Sequence, residues 1–126
     1  MNLVDSCGWL EYFADGPNAN FFAPAINDLD NLIVPTIYIL EVFKKVFQQR
    51  DEDSALKAVA LMEQGRVVDL NDTLAMNTAK LSLDNKLPMA DGIILATAHA
   101  HNSVIWTQDA DFKGIRGVKY IEKKKK

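Results

Sequence analysis

Short apolar segments alternate along this chain with longer segments of helical periodicity, and this alternation is the feature that most restricts its fold. Strands that alternate with helices form a largely parallel sheet, because each helix returns the chain to the edge where the strands begin. The sequence therefore predicts a three-layer α/β domain with helices on both faces of the sheet. The predicted strands are residues 1–5, 32–34, 66–70, 103–107 and 118–121, and the predicted helices are residues 6–14, 20–30, 35–50, 53–64, 72–85 and 88–101.

Proline and glycine residues set several of the expected helix boundaries. Pro24 is expected to break or delay the second helix, because proline lacks a backbone N–H and its ring clashes with the preceding turn. Pro35 and Pro88 suit the first position of the helices that follow them, where the N–H would be unpaired anyway. Gly65 suits the position just after a helix end.

The length and composition predict one domain of an ordinary globular protein. At 126 residues the chain is long enough for a single core, and 48% hydrophobic and 25% charged residues are typical values. No apolar run approaches the roughly 20 residues of a membrane span, and the start lacks the pattern of a signal peptide. The single cysteine, Cys7, excludes an internal disulfide and suits a reducing compartment. We expect a cytoplasmic protein.

The net charge of −3 conceals an uneven distribution. Residues 123–126, the lysine run, are four lysines, so residues 1–122 hold ten basic and seventeen acidic residues, a net charge of −7. An acidic body argues against nucleic-acid binding through a broad basic surface, and it fits a site where carboxylates surround a cation. The simpler interpretation of the lysine run is a solvated tail, and the alternative is a tail that contacts phosphates.

Three aspartates are predicted to lie at one edge of the sheet. Asp5 and Asp109 follow strands, and Asp91 opens the helix that leads into the strand before Asp109. Each has a simple structural explanation: an N-cap for Asp5, the helix dipole for Asp91 and a turn for Asp109, with Asp111 as a second turn residue. Separate explanations do not predict convergence, whereas parallel strands and their crossover helices bring these positions to one crevice.

Converging carboxylates indicate a bound cation. They repel one another, and their pKa values rise unless a positive charge offsets the field. No lysine or arginine recurs beside these acids in the sequence. Oxygen-only ligands favour Mg²⁺ or Mn²⁺, whereas zinc would favour histidine and cysteine.

Glu41 is ambiguous on periodicity alone. On a helical wheel it falls opposite the centre of a wide apolar arc, beside Lys44 and Lys45. This pattern favours a solvated face with a Glu41–Lys45 pair.

Four segments in series resemble one known family. They are V-D-S-C-G-W-L-E-Y-F, P-T-I-Y-I-L-E-V, L-P-M-A-D-G-I-I-L-A-T-A and W-T-Q-D-A-D-F. In this order and separation they closely resemble the PIN-domain nucleases, and within them the VapC toxins of bacterial and archaeal toxin–antitoxin pairs. Each motif alone is weak evidence, whereas the series is fairly specific and covers essentially the whole chain.

The resemblance implies a PIN-like domain over residues 1–122, with a five-stranded parallel sheet in the order 3-2-1-4-5. It also implies a quartet that is both catalytic and metal-binding, which falls on Asp5, Glu41, Asp91 and Asp109. This implication replaces the helical-wheel interpretation of Glu41 and places it in the crevice.

Small supporting residues and a few departures accompany the quartet. Ser6 and Thr107 match the hydroxyl residues that support the family's acids. Cys7 stands where serine or threonine is common, Gly92 where alanine is common, and Gln108 where a charged residue is frequent. None of these departures removes an acid.

The implied function is Mg²⁺- or Mn²⁺-dependent hydrolysis of RNA phosphodiesters, with single-stranded or looped RNA as the substrate. The implied partners are a VapB-type antitoxin and a second copy of the chain. Residues that bind the RNA stay unassigned.

Three other functions remain open at this stage. One is a non-catalytic binding module that keeps the same fold. Another is a phosphohydrolase of the haloacid-dehalogenase type, although Cys7 stands where those enzymes need a second acid. A phospho-accepting receiver domain also gathers aspartates at a sheet edge, but Lys113 and Lys119 only loosely match its lysine.

Overall fold

The computed structural model describes residues 1–125, so the predicted lysine run is described up to Lys125 and Lys126 lies outside the described residues. Five parallel strands form one sheet in the order β3-β2-β1-β4-β5, which confirms the predicted topology. The predicted domain boundary at residue 122 stays a prediction. The strands are β1 (Asn2–Val4), β2 (Leu32–Pro35), β3 (Arg66–Val68), β4 (Val104–Thr107) and β5 (Val118–Tyr120).

Six α-helices flank the sheet, and each corresponds to a predicted one. Two short 3-10 helices, Leu29–Asn31 and Ala110–Phe112, replace the end of the second predicted helix and the predicted turn after β4. The α-helices are α1 (Ser6–Phe13), α2 (Ala19–Asn27), α3 (Thr36–Gln49), α4 (Glu52–Met62), α5 (Asp72–Asn85) and α6 (Met89–Ala100).

The prolines differ from expectation in detail. Pro24 lies inside α2 and does not break it, because burial of Phe22, Ala25 and Ile26 holds this short helix against the core. Pro35 is the last residue of β2 and precedes α3. Pro88 similarly precedes α6, so both prolines stand one residue before the position predicted for them.

The centre of the core is formed by the middle strands. Leu3 and Val4 of β1 and Ile33 of β2 are completely buried, and Ile105 of β4 is nearly so. Strands with no solvent-facing side require apolar residues at successive positions, which explains the continuous apolar segments in the sequence.

The strand order reverses at β1, which pairs with β2 on one side and β4 on the other. The pairing of β1 and β4 continues past Val4, since the backbone N–H of Asp5 donates to the carbonyl of Trp106 at 3.0 Å. Asp5 therefore lies next to Thr107 at the carboxyl ends of the two strands. This crevice is where open α/β sheets bind their ligands.

No helix within residues 1–125 combines the length and the apolar character that crossing a membrane requires. The cytoplasmic location stays a prediction.

Gly8 allows α1 to lie directly on the core. A Cβ atom at this position would stand 2.6 Å from two ring carbons of Phe22 and 2.7 Å from Cγ1 of Val4. We expect Gly8→Ala to lower the free energy of unfolding by about 1–2 kcal/mol, because overpacking costs more than the roughly 1 kcal/mol gained in helix propensity. Urea denaturation checks this, and an unchanged or higher midpoint would contradict the packing argument.

Candidate metal-binding site

Asp5 is a buried carboxylate held by three donors. It follows β1, caps α1 and is only 4% exposed. One carboxylate oxygen accepts from the Thr107 hydroxyl at 2.6 Å and from the Cys7 thiol at 3.3 Å. The other accepts from the backbone N–H of Ser6 at 2.8 Å. These contacts fix the orientation of the carboxylate, and Asp5 is both an N-cap and a member of the crevice.

Thr107 connects two of the predicted acids. Its buried hydroxyl donates to Asp5 and accepts from the backbone N–H of Asp109 at 2.9 Å. The Asp109 carboxylate then accepts from the backbone N–H of Asp111 at 2.9 Å, which starts the 3-10 helix Ala110–Phe112. The hydrogen bond to Thr107 therefore orients the turn after β4, which carries Asp109 and Asp111.

Three aspartates form a compact acidic group, the aspartate cluster of Asp91, Asp109 and Asp111. One carboxylate oxygen from each lies within 4.8 Å of the other two. Asp91 comes from the first turn of α6, and the other two come from the turn after β4. The structure thus brings together two of the acids predicted for the site and adds Asp111.

Asp111 was interpreted from sequence as a turn residue, and its place in the cluster was missed. The signal that could have found it is the D-x-D spacing directly after a strand at the carboxyl edge of the sheet. In the tight 3-10 turn, Asp111 stays close to Asp109.

Glu41 lies apart from the aspartate cluster but near Asp5. It is partly buried on α3, and burial and the Asp5 charge raise its pKa, whereas the Ser6 hydroxyl lowers it. Glu41 is therefore neither fully solvated, as the helical wheel alone suggests, nor fully buried, and its role in the crevice stays a prediction. α3 buries Tyr38 and Val42 and leaves Leu40 59% exposed, because its buried stripe is set by its neighbours and not by the centre of its apolar arc.

Burial and neighbouring carboxylates raise the pKa values of two members of the cluster. Burial, followed by the charges of Asp109, Asp5 and Asp111, raises the pKa of Asp91 to about 7. Burial also raises the pKa of Asp109, with Asp111 and Asp5 adding to the effect and a backbone hydrogen bond opposing it. A divalent cation would relieve this repulsion.

Two further residues adjoin Asp5. Burial and the Asp5 charge raise the pKa of the Cys7 thiol to about 12, so it acts as a neutral donor. The Tyr38 hydroxyl is buried and makes no hydrogen bond within residues 1–125, and burial and Asp5 raise the pKa of its phenol. Periodicity of the sequence could not have shown that the Tyr38 hydroxyl lies near a carboxylate.

A family model described as PIN domain matches residues 3–118. None of the curated proteins compared with the chain matches it.

Solved structures of toxin–antitoxin systems share the fold. A toxin–antitoxin complex from Klebsiella pneumoniae aligns with a TM-score of 0.81 and 23% identity over 94% of this chain and 96% of that one. A VapC toxin from Mycobacterium tuberculosis, described as cleaving the sarcin–ricin loop, gives 0.76 and 13% over 94% and 97%. DNA-bound VapBC from Salmonella typhimurium gives 0.70 and 15% over 97% and 98%.

The raised pKa of Asp91 predicts a pH-dependent stability of the metal-free protein. Between about pH 4 and pH 7 the folded state keeps a proton that the unfolded state releases. The free energy of unfolding should therefore fall as the pH rises through this window and stay low above it. We expect Asp91→Asn to reduce this decrease in the free energy of unfolding. At pH 8 in chelator the variant should be more stable than the unsubstituted protein.

Chemical denaturation from pH 4 to pH 8 in chelator measures this dependence. Asp84→Asn, an exposed aspartate on α5, is the matched control and should follow the unsubstituted protein. If Asp91→Asn shows the same pH dependence of unfolding as the unsubstituted protein, the neighbouring carboxylates do not destabilise ionised Asp91.

Proposed function

The chain belongs to the PIN-domain family, and we propose on this basis that it is a metal-dependent endoribonuclease. It hydrolyses RNA phosphodiester bonds and serves as the toxin of a VapBC-type toxin–antitoxin pair. The observation that supports this most is the aspartate cluster beside the buried Asp5, at the point where the strand order reverses. A PIN-family chain with such a crevice is suited to bring a phosphate and a cation together.

The residues of the crevice fit Mg²⁺ or Mn²⁺. Asp5 and the aspartate cluster offer carboxylate oxygens, which hard divalent cations prefer, and the raised pKa values of Asp91 and Asp109 indicate negative charge that a cation would offset. Asp5, Asp91 and Asp109 would hold the ion directly or through water, with Glu41 and Asp111 beside them. When bound, the ion would stabilise charge on the phosphate and favour ionisation of water.

The chain's own groups supply orientation and a proton acceptor. Thr107, Cys7 and Ser6 keep the Asp5 carboxylate fixed, so little reorganisation is needed when the phosphate arrives. Glu41 would orient the attacking water and accept its proton, since burial and the Asp5 charge raise its pKa and so make the carboxylate a stronger base.

The proposed substrate is single-stranded or looped RNA. The comparison structure described as a sarcin–ricin loop cleaving toxin is one protein of this fold with such a substrate. The dehalogenase-type alternative gains no support, because Cys7 occupies the position of its second acid and the chain belongs to a different family. Turnover would exclude the non-catalytic alternative.

Incubation with total RNA tests the nuclease. We expect discrete cleavage with Mg²⁺ or Mn²⁺ and none in chelator. Asp5→Asn and Asp109→Asn keep the side-chain shape and remove the charge, so each should lower the rate by more than the roughly 10- to 100-fold that loss of a supporting partner of a metal ligand costs.

Asp84→Asn serves again as the matched control and should cleave normally. Equal cleavage by all variants would reject the acids as catalytic groups. If neither the protein nor its variants cleave RNA, calorimetric titration with Mn²⁺ decides. Loss of Mn²⁺ binding in Asp109→Asn alone would support the metal site, and absence of Mn²⁺ binding in every protein would reject it.

An exposed apolar surface on α3 supports the antitoxin as a partner. Leu40 is 59% and Phe47 is 50% exposed, and the ring centre of Phe43 lies 5.8 Å from that of Phe47. Leu40 of this α3 surface directly precedes Glu41 in the chain, and we propose that an antitoxin segment bound there extends over the crevice and blocks it. Exposed apolar surface of this kind is typical of interaction sites.

A second apolar surface supports self-association. Met76 and Leu83, seven residues apart on α5, are 59% and 81% exposed, and Met89 at the start of α6 is 76% exposed. We assign this α5 surface to the homodimer. It lies on the α5–α6 helix pair, so a dimer formed there would leave the α3 surface to the antitoxin.

Light scattering with single charged substitutions separates the two partners. Leu83→Glu should convert a dimer into a monomer and leave antitoxin binding intact, whereas Phe47→Glu should abolish antitoxin binding and leave the dimer. If the unsubstituted protein is a monomer at micromolar concentration, the homodimer is rejected. Normal antitoxin binding by Phe47→Glu would reject the α3 surface as the antitoxin site.

A further inference from the structure

The chain after β5 is fixed at the acidic end of the sheet. The backbone N–H of Ile121 donates to the carbonyl of Thr107 at 3.0 Å, which continues the pairing of β5 with β4. The hydroxyl of the same Thr107 donates to Asp5. The segment that leads to the lysine run is therefore bonded to a residue that also orients an acid of the site.

A buried asparagine holds the next residue. Asn18, only 2% exposed, donates from its side-chain amide to the carbonyl of Glu122 at 3.0 Å and to the side-chain oxygen of Gln108 at 2.9 Å. Its backbone N–H donates to Glu11 at 3.0 Å. Gln108 directly precedes Asp109, so Asn18 ties the chain before the lysine run to the strand end that positions the aspartate cluster.

The lysines that follow are exposed beside this anchor. Lys123, Lys124 and Lys125 line an open cleft together with Glu11 and Pro17. An extended chain advances about 3.3–3.6 Å per residue, so the Cα atoms of these three lysines lie at most roughly 7–14 Å from that of Ile121. They follow Ile121, whose backbone is bonded to Thr107, by two to four positions, whereas residues 1–122 carry a net charge of −7.

Two other lysines near β5 already have aromatic partners. The ammonium group of Lys119 lies 4.3 Å from the ring centre of Trp106, and that of Lys113 lies 5.9 Å from the ring centre of Tyr120. Such contacts hold a cation over an apolar ring. The exposed lysines after β5 are better placed to meet a polyanion.

We propose that residues 121–125, the basic arm, contact the phosphates that flank the scissile bond of a single-stranded RNA. The inference rests on the proposed nuclease function, because an acidic crevice repels RNA and needs cations at its margin to retain it. The arm is held by Asn18 and Thr107, so its lysines are presented at a defined side of the crevice. It supplies affinity without sequence preference, since phosphate contacts carry no base information.

Binding in chelator, where no metal-dependent cleavage occurs, tests the arm directly. The probe is a fluorescent single-stranded RNA of 20 nucleotides and mixed sequence, titrated over a range of salt concentrations. Three phosphate contacts contribute about 2 to the slope of log affinity against log salt, at about 0.7 each. Lys123→Gln, Lys124→Gln and Lys125→Gln combined should reduce the slope by that amount and weaken binding by about 10- to 100-fold at 0.1 M salt.

A matched triple variant controls for net charge. Lys57→Gln, Arg66→Gln and Lys80→Gln remove three exposed positive charges from α4, β3 and α5. This control should bind RNA nearly as well as the unsubstituted protein. In cleavage assays the arm variant should show a raised KM with little change in kcat, because the lost contacts do not touch the reacting atoms.

The outcomes separate the arm from the nuclease. Equal RNA binding by the arm variant and the control overturns the arm, whatever the cleavage assay shows. Lysine-dependent RNA binding without metal-dependent cleavage supports the arm, and the Mn²⁺ titration described above then decides the nuclease. If the arm substitutions weaken binding to anionic phospholipid vesicles but not to RNA, the arm serves a membrane surface and the proposal falls.

Discussion

The hydrogen bond between the Thr107 hydroxyl and the Asp5 carboxylate joins the two strands that meet where the sheet order reverses. Both side chains are buried, and a buried carboxylate is costly unless donors surround it. Ser6 and Cys7 complete these donors, and Thr107 also accepts from the backbone of Asp109. One hydroxyl therefore links the ends of β1 and β4 and orients the turn that carries Asp109.

The remainder of the crevice opposes stability. Asp91, Asp109 and Asp111 lie close enough for their charges to act on one another, and the pKa of Asp91 rises to about 7. A fold selected for stability alone would not gather these groups, and strongly perturbed carboxylates in a crevice are typical of functional sites. Burial of the central strands stabilises the fold and offsets the repulsion between these carboxylates.

Much of the site could be predicted from local sequence. Asp5 and Asp109 end strands and Asp91 opens a helix, so the topology alone places them at one edge. Glu41 could not be placed in the same way, because its helical wheel does not specify which side of α3 packs against the sheet. Asp111 was missed since a turn aspartate and a clustered aspartate look alike until α6 is brought alongside.

The sequence by itself determined the order of strands and helices, the three-layer class and the edge at which the aspartates lie. These features depend on periodicity and chain direction, which are local properties. Only the tertiary structure decided which groups meet. The Thr107–Asp5 bond joins residues 102 positions apart, and the bonds of Asn18 to Gln108 and Glu122 span 90 and 104 positions. Such contacts depend on how helices and strands pack across the sheet, and no local pattern encodes that packing.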